Sequence, residues 1–413
     1  MPKVASPLLT LSQIEEAANN IKGAVIATPL LPAAQLDTIT GASVFVKYEN
    51  MQTTNAFKER GALNKLLHLT EAEKKCGVIA MSAGNHAQAV ALHAQRLGIP
   101  ALIVMPNGTP YVKVEATKAY GAKVVLAGET VDDAKKEAEN LSQQHGYIWV
   151  HPFDDLQVIA GQGTIALEML KEQPDLDTLI VPIGGGGMIS GIAVAAKAIN
   201  PDIEIIGVES DLYPSMYAAL RNEPMKCGGN SLAEGIAVKE PGALTRKLVE
   251  QYVDDIVLVS ETQIEEAINV FLTRLKTVAE GAGAAGLAAM SAYPERFKGK
   301  KVGLVLCGGN INPRLLASIA LRQLVRLGNI IHIRCNIPDR PGILGEISTT
   351  IGQLGGNILE VSHHRLFLDV SVKGATLDVA IETRDNQHAK EIIAALEAGD
   401  IHVTLLSSGE MRF

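Results

Sequence analysis

The chain has 413 residues, of which 47% are hydrophobic and 20% charged, and its formal net charge is -8. At roughly 150 residues per domain the length calls for two or three lobes, and the composition excludes disordered and repeat proteins. An acidic balance without a long basic run excludes nucleic acid and anionic membrane as partners and leaves a small molecule as the expected ligand.

The opening segment, MPKVASPLLTLSQIEEAANNIKG, has no apolar core behind a basic start. It predicts a short helix after Ser6 or Thr10, no signal peptide and a cytoplasmic protein. The segment ENMQTTNAFKERGALNKLL sets Lys58 at the start of a helix after a polar loop, and a lysine so placed reads, taken alone, as a solvated surface residue. VIAMSAGNHAQAVALHAQ predicts a strand, a turn and a helix ending on Gly98, with Ser82, Gly84, Asn85 and His86 at the carboxyl end of the strand, where open α/β sheets bind ligands. Taken alone it equally describes a capped helix with a histidine packed behind it.

Further apolar runs follow at 101 to 105, 123 to 127, 178 to 183, 203 to 209 and 301 to 308, with helical patterns between them such as ETQIEEAINVFLTRLKTVAE at 261 to 280. Strand and helix in alternation predict a doubly wound parallel sheet whose strands are covered on both faces. Thr178 to Ala196 carries no charge, yet its interior is Pro182 and four glycines, so it reads as a buried strand, a turn and a small-residue helix and not as a membrane span.

Near Leu327 the character changes. IIHIRCNI alternates, with Ile331, Ile333, Cys335 and Ile337 on one face, and predicts a half-exposed strand. The turn DRPG follows, then a helix with Ile343, Leu344, Ile347, Ile351 and Leu354 on one stripe, strand-like segments over 357 to 383, a helix over about 387 to 398 and the strand IHVTLL. That βαββαβ order is the ferredoxin-like motif. It places a domain boundary near 328.

The four glycines Gly184 to Gly187 lie between a buried strand and a helix, where free N–H groups and the helix dipole suit a phosphate. No Lys-Ser or Lys-Thr follows, which excludes a Walker loop. A dinucleotide loop stays open, with Gly185, Gly187 and Glu209 in suitable places, although its third glycine would be Ser190. The complete GxGxxG at Gly281, Gly283 and Gly286 follows a helical stretch and not a strand. The cysteines Cys76, Cys227, Cys307 and Cys335 are scattered, without metal-ligand spacing or a disulfide framework, so no metal centre is expected.

Taken together these segments resemble the threonine and serine dehydratases of pyridoxal-phosphate fold type II, over about Ile14 to Arg326. The resemblance implies a two-lobed catalytic domain over 1–328, with a smaller lobe at roughly 51–155, and pyridoxal 5'-phosphate as cofactor. The family's SFKxRGA loop reads NAFKERGA here, which implies a Schiff base on Lys58 beside Phe57, with Ala56 where the family has serine. SAGNHAQ matches the asparagine loop: Ser82, Ala83, Gly84 and His86 are implied at the substrate carboxylate and Asn85 at the cofactor's 3'-oxygen. Gly184, Gly185, Gly186, Gly187 and Met188 correspond to the phosphate loop, and LCGGN puts Cys307 opposite the pyridine nitrogen, where a neutral thiol cannot hold the ring protonated. HPFDD at 151 to 155, GQGT at 161 to 164 and AEGIAV at 233 to 238 match as well.

The implied reaction is elimination of the β-hydroxyl of threonine or serine, with Lys58 taking the α-proton and 2-oxobutanoate or pyruvate and ammonia as products. A β-replacement synthase of the same fold fits SAGNHAQ less well. A racemase needs a serine as second base before the loop glycine, where this chain has Ala83. A catalytically silent amino-acid sensor has no need of Lys58, Asn85 and the glycine loop together. Residues 329–413 resemble the ACT domain, which implies an amino-acid effector near Asp339 to Gly342 and Asn357, and a homodimer or homotetramer. Isoleucine or valine is the first effector to test if the enzyme serves isoleucine biosynthesis.

Overall fold

The structure, a computed structural model, describes residues 7–365 and 374–406. The chain divides into two compact units, Met1–Ile311 and Asn312–Phe413.

The first unit holds two sheets. The smaller has the order Lys123–Leu126, Ala101–Met105, Val78–Met81, Ile148–Trp149, with every pair parallel. Its central strands are apolar throughout because alternate residues enter different cores. Val78, Ala80, Ile103 and Met105 pack with Ala87, Val90 and Ala94 of the helix Asn85–Leu97, whereas Ile79, Leu102 and Val104 pack with Ala134 and Ala138 of Val131–His145. The strand over 123 to 127, expected to be buried, is instead an edge strand with Lys123 and Leu126 exposed, since it has a neighbour on one side only.

The larger sheet has the order Leu30–Pro32, Ser43–Tyr48, Lys301–Leu306, Thr178–Pro182, Glu204–Ser210, Asp255–Val259. Its first pair is antiparallel and the rest are parallel. Three helices approach closely on glycine. A Cβ at Gly61 of Lys58–Leu67 would lie 2.6 Å from the Val158 carbonyl oxygen, one at Gly161 of Leu156–Glu172 would lie 2.6 Å from that of Arg60, and one at Gly163 would lie 2.8 Å from that of Gly191 in Gly187–Ile199. GQGT is thus a packing motif. The GxGxxG at 281 to 286 serves likewise, lying inside the helix Gly281–Ala292, where a Cβ on Gly286 would overlap Leu304.

The first helix begins at Leu11 on a capping box of Thr10 and Gln13, the second of the two expected starts; Ser6 lies outside the described residues. Two expectations need correction. The helix foreseen over 261 to 280 ends at Thr273, because the chain turns through Lys276, at φ 54, and brings Glu280 to the Gly308 carbonyl. Leu344 and Leu354 do not join the buried stripe: Ile343, Ile347 and Ile351, four apart, face the sheet, whereas Leu344 is turned about 100° from Ile343 and Leu354 only caps the helix.

The second unit carries the helix Pro313–Arg326 and an antiparallel sheet in the order Asn357–His364, Gly374–Glu382, Ile330–Pro338, His402–Leu405. With the helices Ile343–Gln353 and Asn386–Ala398 this is the expected βαββαβ order, and Ile331, Ile333, Cys335 and Ile337 enter its core as their alternation requires. The expected segment at 366–373 and the end at 407–413 lie outside the described residues.

Candidate active site

The loop before Lys58 is pinned to the segment after the strand Lys301–Leu306. Ala56 bridges Gly308, the Phe57 N–H donates to the Cys307 carbonyl at 3.0 Å, and the Gly309 N–H donates to that of Asn55 at 2.9 Å. Ala56 is fully buried in this bridge, so a small residue is needed there whether or not it has a hydroxyl. Lys58 then opens its helix, and its Nζ donates to the Pro152 carbonyl at 2.7 Å and lies 5.1 Å from the centre of the Phe57 ring. Burial lowers its pKa to about 8, against the smaller upward pull of Cys307 and Glu280.

Ser82 follows the strand Val78–Met81, and its hydroxyl accepts the Gly84 N–H at 3.2 Å. The helix begins at Asn85, so the first-turn N–H groups of Asn85, His86 and Ala87 have no partner within it, as at any helix start, and an anion can be accommodated there. A Cβ at Gly84 would meet nothing within 4 Å, which leaves the approach open. Ala83 packs against the core of the smaller lobe. The His86 ring turns inward: Nε2 donates to the Val150 carbonyl at 2.8 Å, and burial with Lys58 nearby lowers its pKa to about 3, so it is neutral. Its loop can therefore offer an anion its backbone N–H and not an imidazolium.

Asn85 is fixed at both ends of its amide. Nδ2 donates to Glu280 Oε1 at 2.8 Å, and Oδ1 accepts from Asn310 Nδ2 at 2.8 Å. Asn310 also donates to the Thr54 carbonyl at 2.7 Å. Burial raises the Glu280 carboxyl to about 7, and burial with Glu280 nearby raises the Cys307 thiol, which stays neutral. Nothing in the sequence marked Glu280, since an acid at a helix start is ordinary, and Asn310 stood only as the last residue of LCGGN, without a role of its own.

Gly184 to Gly187 form the turn between Thr178–Pro182 and Gly187–Ile199. Gly186 has φ 93, a left-handed value, and a Cβ at Gly185 would overlap the Phe153 ring. Met188 follows, buried, in the helix's first turn. The segment 151 to 155 touches both ends of the site, Pro152 at the Lys58 amine and Phe153 at Gly185 and Gly187. A buried lysine amine, side-chain-free N–H groups at a helix start, an amide oriented at both of its ends and a small buried thiol are a set of groups that fits pyridoxal phosphate. Among the described residues no group of three or more His, Cys, Asp or Glu could hold a metal ion. Glu209 instead accepts the N–H groups of Met216 and Tyr217, each at 2.9 Å.

Residues 21–308 match the family of pyridoxal-phosphate dependent enzymes, and residues 331–398 match the ACT domain. The chain is 44% identical over 401 residues to an L-threonine ammonia-lyase of Thermotoga maritima, covering 97% of this chain and 100% of that protein. Among solved structures it is similar to threonine deaminase isoform 2 of Solanum lycopersicum, at 36% identity and a TM-score of 0.71 over 75% of this chain and 86% of that one. Maize serine racemase is similar at 34% identity and a TM-score of 0.71 over 77% and 98%. The chain belongs to the pyridoxal-phosphate dependent enzymes and carries an ACT domain after the part that matches them.

Proposed function

We propose that the protein is a threonine ammonia-lyase that also accepts serine, with Lys58 as its catalytic residue. The observation that carries the reading is the Lys58 amine, held at 2.7 Å from the Pro152 carbonyl with its pKa lowered to about 8, while the next residue, Phe153, packs on the glycine loop. The near full-length identity to an L-threonine ammonia-lyase supports threonine as the substrate. Bound pyridoxal phosphate supplies the electron sink that acidifies the α-hydrogen of an amino acid. Lys58 Nζ would hold the cofactor covalently and would be the base for the α-proton; an amine of lowered pKa suits that task. Phe57 flanks the amine, and Asn85 would donate to a cofactor oxygen with the hydrogen that Glu280 leaves free. Gly184 to Gly187 and Met188 would receive the phosphate, and Cys307, a neutral thiol, would serve the ring nitrogen. Ser82, Ala83, Gly84 and His86 line the carboxylate site, His86 through its backbone.

Residues 1–328 act as the catalytic domain and 329–413 as an amino-acid-responsive one, paired in a homodimer or homotetramer. Four free cysteines suit the reducing cytoplasm. Among the described residues no helix is long and apolar enough to cross a membrane. Release of 2-oxo acid across threonine, serine and 3-hydroxyaspartate tests the activity. Lys58→Ala is expected to lose both cofactor absorbance and turnover, and retention of both would remove Lys58 from the mechanism. Ala83 has no ionisable group, so D-serine should form far more slowly than pyruvate from L-serine; comparable rates would favour the racemase reading.

A further inference from the structure

The segment His151–Asp155 repeats a family motif, yet the chemistry above uses only its Pro152 carbonyl. Its next acid does something specific. Asp154 accepts three backbone N–H groups, from Ala243 at 3.0 Å, Leu244 at 2.8 Å and Thr245 at 3.2 Å. These are the opening N–H groups of the helix Ala243–Tyr252, whose own cap, Gly242, has no side chain to offer them. Asp154 is itself set by His151, whose Nδ1 accepts the Asp154 N–H at 2.7 Å and the Phe153 N–H at 3.3 Å.

Thr245, fully buried on that helix turn, donates its hydroxyl to the Gly185 carbonyl at 2.6 Å. The Gly242 N–H reaches the same oxygen at 3.3 Å. A peptide unit is planar and here trans, so its C=O and the following N–H point in opposite directions. Holding the Gly185 carbonyl toward Thr245 therefore aims the Gly186 N–H the other way. The fit is close, since a Cβ on Gly186 would lie 2.9 Å from Thr245 Cβ.

We propose that Asp154 and Thr245 are positioning residues for the phosphate end of the cofactor: Asp154 fixes the first turn of Ala243–Tyr252, and the Thr245 hydroxyl on that turn sets the peptide between Gly185 and Gly186 so that its N–H faces the phosphate. The inference rests on Gly184 to Gly187 being the phosphate loop. It accounts for a carboxylate kept beside an anion site: its charge is taken up by a neighbouring helix start and not presented to the ligand.

The test is equilibrium binding of pyridoxal 5'-phosphate and of pyridoxal, which lacks the phosphate, to the full-length apoprotein, followed by absorbance. Thr245→Val and Asp154→Asn should each weaken the phosphorylated ligand about tenfold while pyridoxal changes less than about twofold. Thr245→Ser, which keeps the hydroxyl, should restore wild-type binding. The double variant should lose less than the product of the single losses, because both residues act through one turn. Equal weakening of both ligands would mean general loosening of the fold and would overturn the proposal, as would unchanged binding or no rescue by serine. If the wild-type protein bound pyridoxal as tightly as pyridoxal 5'-phosphate, the phosphate-loop reading itself would fall, and this inference with it.

Discussion

Arg60 and Glu49 are joined by two charge-assisted hydrogen bonds, Nε to Oε2 and Nη2 to Oε1, each at 2.8 Å, and neither side chain reaches solvent. Arg60 also reaches Glu168 at 2.6 and 2.8 Å and Thr164 at 3.1 Å, and Lys47 meets Glu168 at 2.5 Å. Burial alone would raise the Glu49 carboxyl, but Arg60 and Lys47 beside it outweigh burial and hold it below the usual carboxylate range. The network ties the helix that Lys58 opens to Glu49, just beyond the strand Ser43–Tyr48, and to the helix Leu156–Glu172.

Removing Arg60 strands the buried Glu49 carboxylate. Arg60→Ala is expected to destabilise the protein by about 3–5 kcal/mol, read from the urea midpoint. Arg60→Lys should recover little of this, because an ammonium cannot make the paired contacts of the guanidinium fork. A midpoint for Arg60→Ala indistinguishable from wild type would show that the network does not support the lysine helix.

The lowered pKa of Lys58 has a kinetic consequence. Attack on the cofactor's carbonyl needs the neutral amine, whose fraction grows as pH rises toward its pKa. With that value at about 8, uptake of the cofactor by the apoprotein should rise about tenfold per pH unit below 8 and level off above it. Glu280 pulls the amine's pKa upward, so Glu280→Gln should move the midpoint to lower pH. A rate still climbing past pH 10, as for an ordinary lysine, would defeat the assignment.

The doubly wound sheets were readable because strands buried on both faces are apolar at every position, as Val78 to Ala80 and Ile103 to Met105 are. The glycine loop was readable because four glycines exceed what a turn needs. Lys58 was different, since nothing local separates it from a solvated lysine, and only the family's motif singled it out. Glu280 and Thr245 escaped altogether. Their partners, Asn85 and Gly185, lie 195 and 60 residues away, and such pairings arise from packing that no local period encodes. The early end of the helix at Thr273 escaped for the same reason: its apolar spacing continues to Val278, yet the chain turns to reach Gly308.

The second unit invites the last prediction. Gly342 has φ 92 at the start of the helix Ile343–Gln353, Arg340 pairs with Glu346 at 2.8 and 2.7 Å, and Asn357 Nδ2 donates to Glu382 at 3.0 Å. A loop ending in left-handed glycine at a helix start exposes backbone N–H groups that suit an α-carboxylate. A panel of the common amino acids, isoleucine and valine first, should contain a ligand that changes the dependence of turnover on threonine. Asn357→Ala should shift that ligand's midpoint about tenfold while turnover without it stays unchanged. Linkage adds a stricter condition: whatever factor the effector imposes on threonine affinity, threonine must impose on the effector's. If neither the kinetics nor the sedimentation of the intact protein responds to the panel, the domain serves assembly alone, and the exposed edges of its four-stranded sheet become the place to look for the contact between subunits.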